Sequence, residues 1–218
     1  MRKNTIGSIL RLGLAIASLG VALLPMAAAA EDSSSEVGVE ITPFAGFRFG
    51  GMFEDINTGT NITLDESESY GLVLDFDIER DKQIEIYLSR QSTTLSADGA
   101  FTGNPLFDLA VEYYHIGGLY LFEVESERLR PFVSGTLGAT RMDPQRDDLS
   151  TETFFSLAIG GGAKFFFTEN LGLRFDGRGI YTALSSSSAI FCAGGCTIKV
   201  HTSGFIQGEL GAGMILRF

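Results

Sequence analysis

The sequence predicts an all-β fold, an eight-stranded antiparallel up-and-down transmembrane β-barrel, on three observations. The last segment, 202–218, alternates: Gly204, Ile206, Gly208, Leu210, Ala212, Met214, Leu216 and Phe218 share one face, while Ser203, Gln207, Glu209 and Arg217 share the other. Successive side chains of a strand point to opposite surfaces, so this segment has a lipid-compatible face and a charged face, and it stops on an aromatic. The opposite end reads as an export signal: Arg2 and Lys3, an apolar run from Leu12 to Leu24, Pro25, then alanines from Ala27 to Ala30. That run falls short of the ~20 apolar residues a spanning helix needs, and the alanines suit a cleavage site after Ala30. No cysteine stands there to carry a lipid. Residues 1–30 are expected to be a cleavable signal peptide and residues 31–218 one barrel domain. Finally, 44% of the chain is hydrophobic, with 18 Phe and 27 Gly, yet no other stretch is continuously apolar. Abundant but interrupted apolar residues suit alternating strands.

Eight alternating segments follow in order, at about 36–52, 69–78, 83–92, 106–122, 129–142, 152–167, 171–184 and 202–218. Long polar loops (53–68, 93–105, 143–151 and 185–201) alternate with short turns (79–82, 123–128 and 168–170). Membrane barrels place long loops on one side and tight turns on the other, and both termini fall on the short-turn side, which requires an even strand number. Parity then sorts each strand. Val37, Val39, Ile41, Phe47 and Phe49 oppose Glu40, Thr42 and Arg48; Leu72, Leu74, Phe76 and Ile78 oppose Val73, Asp75 and Asp77. Ile84, Ile86 and Leu88 oppose Glu85, Tyr87 and Ser89, and Leu109, Val111, Leu119 and Leu121 oppose Glu112, Tyr114 and Tyr120. Phe155, Leu157, Ile159, Phe165 and Phe167 oppose Ser156 and Lys164, and Leu171, Leu173 and Phe175 oppose Arg174, Asp176 and Arg178. The apolar member of each pair of faces is assigned to lipid and the polar member to the lumen.

The export signal, the eight segments, the phrase "TENLGLRFDGRGIY" and the ending "GAGMILRF" resemble the eight-stranded outer-membrane barrels of the OmpA-like and opacity-protein class. The resemblance spans the chain after the signal. It implies a Gram-negative-type outer membrane, contact with its lipid, and insertion by the barrel assembly machinery, with Leu210, Met214, Leu216 and Phe218 as the terminal assembly signal. It does not imply one activity, because such barrels serve as adhesins, structural proteins, narrow pores and lipid-modifying enzymes. Two features depart from the pattern: the sequence has no Trp for an interfacial girdle, and no peptidoglycan-binding domain is expected after Phe218.

Seven acids (Glu40, Asp75, Asp77, Glu85, Glu112, Asp176, Glu209) and five bases (Arg48, Lys164, Arg174, Arg178, Arg217) fall on polar faces. An eight-stranded interior is only wide enough to be filled by side chains, and charges there must pair. Counting from the short-turn end, Arg48, Arg178 and Glu209 reach similar heights on neighbouring strands and Glu112 reaches it from across the lumen, so these four are expected to form one interior network. A salt-bridged plug is favoured over an ion path. Cys192 and Cys196 flank Ala193, Gly194 and Gly195 in the longest loop, and two cysteines in an exported chain read as a disulfide stiffening the loop tip. A metal site is the alternative, with His201 as the one further ligand nearby, too few for structural zinc.

Enzyme signals are weak. His201, Ser203 and Glu209 resemble the His-x-Ser plus Glu arrangement of barrel lipid A deacylases, but parity turns them inward and six residues of strand separate Ser203 from Glu209 by about 20 Å. His115 is assigned to the lipid face as an interfacial side chain. Asp143, Asp147, Asp148 and Glu152 lack the spacing of a calcium loop, and Gly160 to Gly162 are not followed by a phosphate-loop Lys. A formal charge of −11 grows more negative with loss of the signal and gives no footprint for nucleic acid. The expectation is a monomeric, non-enzymatic barrel without cofactor, whose loops meet a surface ligand or host partner. The runner-up is a narrow channel for ions or small solutes, and a lipid-modifying enzyme comes third.

Overall fold

Alternation becomes a closed wall in the computed structural model, which describes residues 38–54, 61–97, 104–126, 128–146, 149–184, 189–192, 196–199 and 204–218, with backbone alone for 53, 54, 97, 104, 189–192 and 196–199. The strands are β1 (Val39–Gly50), β2 (Met52–Glu54), β3 (Asn61–Leu64), β4 (Ser67–Glu79), β5 (Lys82–Ala97), β6 (Asn104–Leu121), β7 (Leu129–Pro144), β8 (Glu152–Phe166), β9 (Leu171–Ala183), β10 (Ala189–Cys192), β11 (Cys196–Lys199) and β12 (Gly204–Arg217). Eight of them form the barrel, in the circular order β1, β4, β5, β6, β7, β8, β9, β12 and back to β1, each antiparallel to both neighbours. Closure satisfies every strand edge, which a wall standing in lipid requires. Phe218 completes the seam, its N–H donating to the Val39 carbonyl while the Val39 N–H donates to the Phe218 carbonyl.

The first loop is partly wall. β2 and β3 pair with each other, and β3 pairs with β5 above the start of β4. Gly50 and Gly51, at φ 82° and 97°, supply left-handed backbone that a side chain rarely adopts and lead from β1 into β2. Asn61–Leu64 and all of β2 but Met52 thus fall in the segment, 53–68, expected as polar loop. In the last loop β10 pairs with β11, with Cys192 opposite Cys196 in backbone register. Their side chains lie outside the described residues.

Parity holds on six of the seven strands whose faces were sorted from sequence, and β7 also alternates, with Val133 and Leu137 exposed and Phe132, Ser134 and Thr136 buried. Phe47, Leu137, Phe155, Ile159, Phe175, Ile206, Leu210 and Met214 are exposed on the outer surface, whereas Glu40, Arg48, Asp75, Glu85, Lys164, Arg174, Arg178 and Glu209 are buried in the lumen. β6 is inverted relative to expectation. Leu109, Val111, Tyr113, His115, Leu119 and Leu121 are buried inside, while Tyr114, Ile116 and Tyr120 are exposed outside. The cause lies in what fills the lumen. Toward the long-loop end it holds an apolar core of Leu64, Leu95, Phe107, Leu109, Val111, Met142, Ile180 and Phe205, among others. A strand that faces lipid on one side and this core on the other is apolar on both, so equating the apolar face with lipid fails there.

Candidate functional site in the barrel lumen

The candidate site is the charged filling of the other half. On β1, β4 and β5, Glu40 stands opposite Asp75 and Asp75 opposite Glu85. Three carboxylates on adjacent strands form an acidic wall. Across the lumen, Lys164 on β8 is the register partner of Arg174 on β9, with Arg178 two pleat repeats further along. Like charges side by side repel, and each wall is stable because it faces the other. Lys164 Nζ donates to Glu40 Oε2 (2.5 Å), Asp75 Oδ2 (2.7 Å) and Gln83 Oε1 (2.7 Å). Arg174 donates to Asp75 Oδ2 (2.8 Å), Glu85 Oε2 (2.5 Å) and Asp176 Oδ2 (2.8 Å). Arg178 donates to Glu85 Oε1 (2.7 Å) and Asp176 Oδ2 (2.9 Å). The short-turn mouth is tied by Arg217, which donates to Asp77 Oδ2 at 2.7 Å, and Asp77 also accepts from Gln83 Nε2 at 2.6 Å.

A second cluster lies above the first. Arg48 Nε and Nη2 donate to Glu209 Oε2 at 3.0 and 2.5 Å, and Nη2 donates to Ser89 Oγ at 2.7 Å. These two residues are direct register partners of β1 and β12. The Tyr87 hydroxyl donates to Glu209 Oε1, and the Arg178 guanidinium lies 4.2 Å above the Tyr87 ring, so Tyr87 joins the clusters. Arg48 in turn lies 4.6 Å over the Tyr113 ring. The Tyr113 hydroxyl donates to Gln207 Oε1 at 2.7 Å, and Gln207 Nε2 donates to Gln91 Oε1 at 3.2 Å. Polar contacts therefore run from the short-turn mouth to the edge of the apolar core.

Of the four residues expected in one network, Arg48 and Glu209 pair directly. Arg178, although the register partner of Glu209, turns to Glu85 and Asp176. Glu112 is a correction: it sits on the outer surface of β6, accepting from Arg90 Nη1 (2.8 Å), Arg141 Nη1 (3.0 Å) and the Tyr114 hydroxyl (2.8 Å). Arg141 also reaches Asp143 at 3.5 Å, which leaves this outer patch with two bases and two acids. His115 is a second correction. It lies inside, its Nδ1 3.1 Å from Thr136 Oγ1 and its Nε2 2.8 Å from Ser156 Oγ. Leu210, Met214, Leu216 and Phe218 lie on the outer face as expected. His201, Ser203, Asp147 and Asp148 lie outside the described residues, while Asp143 accepts from Thr151 Oγ1 at 2.6 Å. Sequence reasoning put Gln207 on the inward face but missed Gln83 and Gln91, whose inward parity was a usable signal, and the cross-lumen partners, which parity does not encode.

Solved structures of similar shape are small outer-membrane barrels. Neisserial surface protein A aligns with a TM-score of 0.58 at 17% identity, covering 83% of this chain and 97% of that one. The outer membrane protein AlkL aligns at 0.57 and 12% identity, covering 89% and 97%, and OprG from Pseudomonas aeruginosa at 0.53 and 14%, covering 84% and 96%. At these identities the likeness is one of fold. No protein of curated function matches the sequence. The family described as outer membrane protein beta-barrel domain matches residues 15–205. The chain belongs to the outer-membrane β-barrel family, and its place is the Gram-negative outer membrane.

Proposed function

We propose that this protein is a closed, monomeric scaffold of the outer membrane, neither pore nor enzyme, whose extracellular loops contact partners or environment. The observation that carries this reading is two stacked fillings of the lumen above an open short-turn mouth: ion pairs in the periplasmic half, an apolar core in the extracellular half. An ion would have to displace paired charges in one half and cross packed hydrocarbon in the other, and each step costs several kcal/mol. Among the described residues the buried charges of the lumen, Glu40, Arg48, Asp75, Glu85, Lys164, Arg174, Arg178 and Glu209, are engaged with one another, which favours a structural over a catalytic use. Residues 1–30 act as the cleaved export signal, the terminal strand ending at Phe218 as the recognition signal for the assembly machinery, and Cys192 with Cys196 as a disulfide stiffening the last loop. Single-channel recording on refolded protein in planar bilayers at neutral pH tests the central claim. Silence is expected. Steady unitary currents would replace the scaffold with the narrow channel.

A further inference from the structure

His115 stands at the level where the two fillings of the lumen meet, buried to 2% exposure. Thr136 on β7 and Ser156 on β8 hold its two ring nitrogens. A neutral imidazole offers one donor and one acceptor, and a hydroxyl can serve either, so the ring ties three adjacent strands together without a charge. Aromatic rings enclose it, Tyr113 from its own strand at 5.5 Å between centroids and Tyr87 from β5 at 6.1 Å. The charged groups acting on it are Arg178 from β9, Arg48 from β1 and Glu85 from β5. Glu85 is already held by Arg174 and Arg178, and Glu209, the partner of Arg48, is held by Arg48 and Tyr87. An imidazolium would add a positive charge beside two guanidiniums with each of these carboxylates already engaged, in surroundings that cannot solvate it.

We propose that His115 is an acid-sensitive lock on the lumen: neutral, it fastens β6 to β7 and β8, and protonation from the acidified exterior loosens that fastening. The proposal rests on the sealed-lumen reading but is tested separately from it, because it predicts a pH slope of stability whatever the conductance at neutral pH. The sign follows from proton counting. A charge placed on this enclosed ring would lack both solvent and a free carboxylate, whereas the unfolded chain solvates it, so stability is expected to fall as pH drops through the ordinary imidazole range, about 6.5. Urea unfolding in lipid vesicles between pH 7.5 and 5.0 should show the unfolding equilibrium constant rising by up to about tenfold per pH unit below that point. The sequence holds two histidines, so His201→Asn is the control and should keep the slope, while His115→Gln and His115→Asn should lose it. A flat wild-type profile overturns the proposal, as does a slope that survives in His115→Gln and vanishes in His201→Asn. Should neither His115 variant fold, the wild-type and His201→Asn profiles still decide.

Discussion

Glu209 and Glu112 look alike in the sequence, each an acid in an alternating segment, yet the protein spends them differently. Glu209 is sealed in the lumen against Arg48 and Tyr87, whereas the arginines around Glu112 are each 43% exposed on the outer surface. Glu209→Ala should cost about 3–5 kcal/mol in urea unfolding, because it strands a buried guanidinium. The double change Arg48→Met with Glu209→Leu should recover much of that loss, since removing both partners leaves no orphan. Glu112→Gln should cost less than Glu209→Ala, because Glu112, although itself buried, leaves behind two arginines that are each 43% exposed rather than sealed. Equal losses in the two single variants would show that Glu112 is inside after all. Glu112 was illegible for a plain reason: alternation fixes which residues share a face but not which face points inward. That choice needs a contrast in polarity, and Leu109 and Val111 remove it by packing in an apolar core.

At the scale of strands, the faces of six strands, the terminal one among them, could be read from sequence because lipid on one side and charge on the other give strong contrast. β2 and β3 could not: Ile62 and Leu64, both buried, sit among Asn, Thr, Asp and Glu and read as loop. Leu74→Arg on the outer face should cost roughly 2–4 kcal/mol if it lies at mid-depth, and Leu173→Arg, third residue of β9 beside the short turn, should cost less because the penalty falls toward the interface. Ile116→Arg on β6 should likewise destabilise, since Ile116 is exposed to lipid. Tolerance at Ile116 would restore the inverted orientation of that strand. Where β7 passes behind His115, a Cβ at Gly138 would run into the Tyr114 carbonyl and crowd the imidazole, so Gly138→Ala should destabilise by about 1–3 kcal/mol. At the seam, Phe218→Asp should leave export intact and sharply reduce heat-modifiable protein in the outer-membrane fraction. Normal amounts of folded protein from that variant would remove Phe218 from assembly.

For the whole molecule, two unlike fillings in one shaft have a thermal consequence. Apolar contacts weaken on cooling, because their driving force near room temperature is entropic. Buried ion pairs change the other way, their desolvation penalty falling as temperature rises. Cold therefore loosens the half nearest the outside, while heat first spares the half nearest the periplasm. Hydrogen exchange in vesicles at low and high temperature should register this as protection that shifts along the barrel axis: amides of β5 and β6 near Leu95 and Leu109 exchange relatively faster in the cold, and those near Glu85 and Arg174 are relatively better protected when hot. Uniform protection at both temperatures would mean that the lumen responds as one body. If the two halves respond in opposite senses, the molecule resembles a pair of stoppers cut from different materials, and a change of climate that slackens one leaves the other seated.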